Sequence, residues 1–153
     1  MPDAQKVPEC PNDAPTKPAR PNDVPGVPTV LVVDDRLEMA KVIAEELTAH
    51  GYRALATSSG REALERLRAE RIDALVTDIA MPGVGGLELL RASMLLDPSR
   101  PVIVMTAYTT LELAVETTTD GAYHYLPKPF RLDVLLRTVG RALDARRGHG
   151  EGP

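Results

Sequence analysis

Four mostly apolar runs in this chain end on polar groups that together could do chemistry. Asp73-Ala-Leu-Val-Thr77-Asp78 closes on a carboxylate, and Met81-Pro82-Gly83 turns the chain almost at once. Val30–Val33 runs into Asp34-Asp35, Pro101–Met105 into Thr106, and Tyr123-His-Tyr125-Leu126 into Pro127-Lys128-Pro129. Three carboxylates crowded together repel, and some must take up protons unless a cation neutralises them. Hard oxygen ligands with no His or Cys beside them favour Mg2+, which keeps waters and accepts a phosphate oxygen. Lys128 would add a fixed positive charge and Thr106 a hydroxyl donor. A nucleophile, a metal and donors aimed at equatorial oxygens are the parts that phosphoryl transfer needs. With a carboxylate as nucleophile the product is an aspartyl phosphate, and Asp78, ending the central run, is the candidate.

These groups meet only if the elements before them bring them to one edge. The pattern alternates strand and helix five times. Strand one is Thr29–Val33, and helix one runs from Leu37 to His50 with a stripe at Met39, Val42, Ile43, Glu46 and Leu47, stopped by Gly51. Strand two covers Tyr52–Thr57, and helix two starts after Ser58-Ser59, with Ala63, Leu64 and Leu67 on one face. Strand three ends at Asp78, helix three covers Leu87–Leu95, and strand four ends at Thr106. Helix four spans about 110–120, strand five is Ala122–Leu126, and helix five runs from Leu132 to about Arg146. Near-continuous apolar strands between amphipathic helices imply a parallel sheet covered on both faces. Ligands of such sheets bind outside the carboxyl ends of the strands, where all the candidate groups fall.

Bulk properties narrow the function. A chain of 153 residues allows one domain with a real core, and a formal net charge of −4 gives no general attraction to nucleic acid or an anionic membrane. The single cysteine, Cys10, excludes an internal disulfide and suits a reducing cytoplasm. No apolar run reaches membrane-spanning length, and the N-terminus lacks a signal peptide's apolar core. Residues 1–28 hold Pro2, Pro8, Pro11, Pro15, Pro18, Pro21, Pro25 and Pro28, a composition expected to give a disordered or polyproline-like tail. Gly148–Pro153 reads as an unstructured end, leaving 29–147 as the domain.

Residues 29 to about 146 resemble the receiver domain of a two-component response regulator. The motifs are Val-Val-Asp34-Asp35, Thr77-Asp78-Ile-Ala-Met81-Pro82-Gly83, Met105-Thr106-Ala107 and Tyr125-Leu-Pro127-Lys128-Pro129-Phe130, in the family's order and at its spacing. The run from Asp120 to Phe130 most resembles receivers of the nitrogen-regulation class of transcription activators. The resemblance implies a flavodoxin-like α/β fold, a five-stranded parallel sheet of order 2-1-3-4-5 with five helices on its two faces. It also implies that Asp78 accepts phosphate from a histidine kinase, that Asp35 and Asp78 bind Mg2+ directly with the backbone carbonyl of Ala80, and that Asp34 acts through water. By the same resemblance Lys128 pairs with a phosphoryl oxygen, its bond to Pro129 is cis, and Thr106 and Tyr125 switch inward on phosphorylation. The surface of helix four, strand five and helix five then changes for a downstream partner or a second receiver. The chain would be a phosphoacceptor assisting its own phosphorylation and dephosphorylation, not an enzyme acting on others.

Each residue has a plainer reading. Asp34-Asp35 could only begin helix one, where acidic side chains suit the dipole; Lys128 could be a solvated lysine, Thr106 a strand residue and Tyr125 simple packing. The ensemble favours the site. His50, His124 and His149 show no ligand spacing. Gly85-Gly86 stands where many receivers have Asp-Gly and is expected to loosen the loop after the acceptor, while Ala80 and Tyr108 stand where the family tunes phosphate lifetime. An aspartyl phosphatase of another α/β fold needs a second Asp two residues past the nucleophile, where Arg36 and Ala80 stand. No hydroxyl- and glycine-rich flavin loop follows strand one. No nucleotide-binding loop, helix-turn-helix stretch or basic DNA-reading face follows helix five, so the expectation is a cytoplasmic single-domain regulator that contacts partners, with no nucleic acid or membrane bound. The alternatives are a phosphate-independent receiver-like module and the receiver part of a longer sigma54-type activator.

Overall fold

The computed structural model describes residues 26–79, 81, 83–107 and 121–151. Five strands form one parallel sheet: β1 (Thr29–Val33), β2 (Arg53–Thr57), β3 (Ala74–Asp78), β4 (Val102–Thr106) and β5 (His124–Pro127). Their order is β2-β1-β3-β4-β5, so the chain starts inside the sheet, moves to one edge and then crosses back. Four helices are described: α1 (Leu37–Ala49), α2 (Gly60–Ala69), α3 (Gly86–Leu96) and α4 (Leu132–Glu151). The helix expected over 110–120 lies outside the described residues, as does the tail before residue 26, and α4 is the fifth helix of the sequence reading.

Alternate residues of a strand point to opposite faces, and here both sets are apolar because both faces carry helices. Val30, Val32, Ala74, Val76, Ile103 and Met105 pack with Ala40, Ile43 and Leu47 of α1 and Leu135, Val139 and Leu143 of α4. Leu31, Val33, Leu75, Val102 and Val104 pack on the other face with Ala63 and Leu67 of α2 and Leu89 and Leu90 of α3. Val42, placed in the α1 stripe by spacing, is 46% exposed; Ala40 and Ala44 take the buried positions instead. At the start of α2 the Ser59 hydroxyl accepts the Glu62 amide at 3.1 Å, so Ser59 rather than Ser58 is the cap.

Two boundaries differ from expectation. β5 begins at His124, and Tyr123 stays 43% exposed with its amide on the Val102 carbonyl at 2.8 Å. α4 continues past Arg146 to Glu151, so Gly148–Glu151, expected as an unstructured end, is helical. A glycine inside a helix costs only about 1 kcal/mol, whereas the first residue that cannot continue one is Pro153.

Candidate functional site

Strand register decides what meets at the carboxyl edge. Val33 is level with Thr77, which puts Asp34, one step on, level with Asp78. Asp78 is level with Met105 and Thr106 with Pro127, so Thr106 and Lys128 each emerge at the same edge. Backbone hydrogen bonds extend the sheet past the strand ends: the amides of Asp34, Ile79 and Lys128 donate to Thr57, Met105 and Thr106 carbonyls at 3.2, 2.9 and 2.6 Å. Each of these side chains therefore leaves a backbone that is held on at least one side.

Oxygens of Asp34, Asp35 and Asp78 lie within 4.8 Å of one another. Asp34 is fully buried, Asp78 is 6% exposed and Asp35 stands at the open rim. Lys128 Nζ donates to Asp34 Oδ2 at 2.9 Å and to Asp78 Oδ2 at 3.2 Å, closing the cluster from the β5 side. Burial alone would lower the Lys128 pKa, but the two carboxylates outweigh it and hold the ammonium above the ordinary lysine value. Asp35 is pushed above the usual carboxylate range by desolvation, by its hydrogen bond with Asp34 and by the charges of Asp78 and Asp34, with Lys128 opposing. Three carboxylates against one ammonium leave an excess of negative charge that a hard cation fits, and an oxygen-only donor set suits Mg2+.

The remaining expected residues are placed as follows. Thr106 is fully buried at the end of β4, and Tyr125 is half-buried on β5, level with Val104. The Lys128–Pro129 peptide is cis. Ala80, whose carbonyl the resemblance gave to the metal, and Tyr108 lie outside the described residues.

Two features escaped sequence reading. Gly86 does not loosen the loop: it is buried, its amide donates to the Ile79 carbonyl at 3.1 Å, and a Cβ there would run into the Asp78 carbonyl oxygen and stand 2.6 Å from Ile79 Cα. The start of α3 is thereby packed against the backbone of Asp78 itself. The second feature is Arg36, whose amide donates to Asp34 Oδ1 at 2.9 Å. Its position two residues past Asp34 was the only signal, and local sequence does not reveal a contact made by the main chain.

The chain belongs to the response regulator receiver domain family, whose model matches residues 30–140. It is thus a phosphoacceptor signalling domain of two-component systems rather than a classical enzyme. It is 36% identical over 120 residues to the C4-dicarboxylate transport transcriptional regulatory protein DctD of Rhizobium meliloti, covering 78% of this chain and 26% of that one. It is 40% identical over 112 residues to the DNA-binding transcriptional regulator NtrC of Klebsiella pneumoniae, covering 73% of this chain and 24% of that one. The chain spans about a quarter of the length of these relatives. A CheY-like receiver domain protein from Methanospirillum hungatei superposes with a TM-score of 0.76 at 28% identity, over 80% of this chain and 98% of that one. No helix among the described residues is long and apolar enough to cross a membrane.

Proposed function

We propose that this chain accepts a phosphoryl group on Asp78 from the phosphohistidine of a sensor histidine kinase and passes the signal on by a change of surface. The observation that carries the reading is the Lys128 ammonium, bridging Asp34 and Asp78 at the carboxyl edge of the sheet. In the transfer an Asp78 oxygen attacks phosphorus, the O–P bond forms as the P–N bond breaks, and the imidazole nitrogen keeps the electron pair. Asp78 need not gain or lose a proton. Lys128 stabilises charge on one phosphoryl oxygen, and the Thr106 hydroxyl donates to another. Asp35 and Asp78, with Asp34 and the Ala80 carbonyl that the family resemblance adds, would hold Mg2+, which would supply positive charge to offset the acidic cluster and the phosphoryl group.

Output follows from the same residues. Thr106 ends β4 beside β5, so its movement toward a phosphoryl group bears on Tyr125 and on the surface of β5 and α4. That surface meets a downstream protein or a second receiver. Identity of 36–40% to transcriptional regulators favours a second reading of the output, in which this receiver governs a sigma54-type activator. A kinase partner of this kind places the chain in the cytoplasm.

Intact mass after incubation with Mg2+ and acetyl phosphate, beside an Asp78→Asn control, tests the acceptor. A Mg2+-dependent phosphoryl adduct absent from the control is expected. No adduct in either protein, with Mg2+ still bound, would favour a phosphate-independent interaction module.

A further inference from the structure

Arg36 is hydrogen-bonded through its backbone and exposed in its side chain. Its amide is tied to Asp34 Oδ1 at 2.9 Å, and its carbonyl accepts the amides of Met39 and Ala40 at 3.0 and 3.2 Å. The guanidinium is exposed and makes no hydrogen bond or ion pair among the described residues. By contrast, Lys128 is committed to Asp34 and Asp78, and Arg131 to Asp133 at 3.0 Å.

We propose that Arg36 is a specificity-determining residue that draws and orients the anionic part of small acyl phosphate donors at the mouth of the site. The proposal rests on the receiver reading above. Three carboxylates, the Lys128 ammonium and a divalent cation sum to no net charge, so the loaded site by itself offers a dianionic donor little long-range attraction and a further cation at its mouth supplies it. Arg36 caps the start of α1 one residue past the exposed Asp35, and its amide on Asp34 Oδ1 at 2.9 Å keeps its exposed side chain next to the acidic cluster. Arginine presents a planar fork that matches the oxygens of a phosphate or carboxylate. In the step it assists, an Asp78 oxygen bonds to phosphorus while the bond from phosphorus to the acyl oxygen breaks, and the carboxylate product leaves with the electron pair. Arg36 favours that step by holding the acyl phosphate's oxygens, and it takes no proton.

The test uses the full chain at saturating Mg2+ and compares Arg36→Ala and Arg36→Lys with the wild type. Phosphorylation rates are measured by intact mass with acetyl phosphate, a dianion at neutral pH, and with phosphoramidate, whose protonated amine leaves one net negative charge. Mg2+ affinity is measured separately by calorimetry. The expected result is a roughly three- to tenfold loss of rate in Arg36→Ala with acetyl phosphate, a smaller loss with phosphoramidate and a flatter salt dependence. Arg36→Lys should recover part of the rate, and Mg2+ should bind Arg36→Ala no more weakly than the wild type, since a like charge has been removed. Unchanged rates, or equal losses with both donors accompanied by weaker Mg2+ binding, would overturn the inference. A wild type that forms no adduct would bring down the receiver reading itself, a different result from an adduct indifferent to Arg36.

Discussion

Adjacent in sequence, Asp34 and Asp35 meet different environments. Asp34 is fully buried against the Lys128 ammonium at 2.9 Å, while Asp35 stands at the rim, with its carboxyl held above the usual range by desolvation, by Asp34 and by Asp78. A carboxyl whose folded pKa is raised above its unfolded value of 3.8 lends stability that is fully present below that value and is lost as pH rises through the folded pKa. At neutral pH the ionised Asp35 therefore works against the metal-free fold. Asp35→Asn removes that charge without changing the side chain's size, so it should raise the stability of the protein in chelator at pH 7. The rim position lets solvent screen much of the repulsion, so the gain is about 0.5–1 kcal/mol. Thermal melts of both proteins in EDTA check this, and the two should converge as pH falls toward 4. A variant less stable than the wild type at pH 7 would refute the assignment of Asp35 as a strained metal ligand.

At the scale of elements, the five strands were legible because both phases of each central strand are apolar and each ends on a polar group. Thr29–Val33 and Val102–Thr106 fell where their composition placed them. What sequence pattern left open was set by contacts between distant segments: Val42 lies on the helical stripe yet faces solvent, and β5 starts two residues later than its apolar run. The four motif positions Asp34, Asp78, Thr106 and Lys128 do meet at one edge, but the seating of α3 on the Asp78 backbone was invisible, since a glycine pair reads as a loose loop whether or not its backbone is packed. That seating has a consequence. A methyl at Gly86 meets main chain of Asp78 and Ile79, which cannot swing aside, whereas a methyl at Gly85 finds its nearest atom, the Ile79 carbonyl oxygen, at an ordinary 3.6 Å. Gly86→Ala should therefore cost about 1–3 kcal/mol as an overpacked site. Gly85→Ala, at φ −88° but at the N-cap of α3, sets a less flexible unfolded chain against a poorer cap and should stay within about 0.5 kcal/mol of the wild type. Urea midpoints of the two variants decide it, and equal midpoints would show that α3 does not press on Asp78.

For the whole molecule, the acidic edge is where segments far apart in the chain are joined: Lys128 reaches Asp34 across 94 positions and Asp78 across 50. A cation held by these carboxylates binds a geometry that exists only when β1, β3 and β5 are in register, so its binding energy is added to the stability of the entire sheet. For a ligand that binds the folded chain alone, ten times the dissociation constant contributes about 1.4 kcal/mol, and a hundred times about 2.7 kcal/mol. Mg2+ should therefore raise the unfolding midpoint of the wild type progressively, with secondary-structure and side-chain probes moving together, and EDTA should reverse the shift. Acid should erase it, because protons compete for the carboxylates, and Asp35, with its raised pKa, is the member protonated as pH falls toward that value. Asp35→Asn inverts the comparison made in chelator: more stable than the wild type without metal, it should gain much less from Mg2+ and fall below the wild type once the cation is in large excess. Such a crossing of the two stability curves requires the same carboxylate to be a burden without the cation and a ligand with it. If Mg2+ stabilised Asp35→Asn as much as the wild type, the cation would be binding elsewhere, and the acidic edge would lose its claim to be the metal centre.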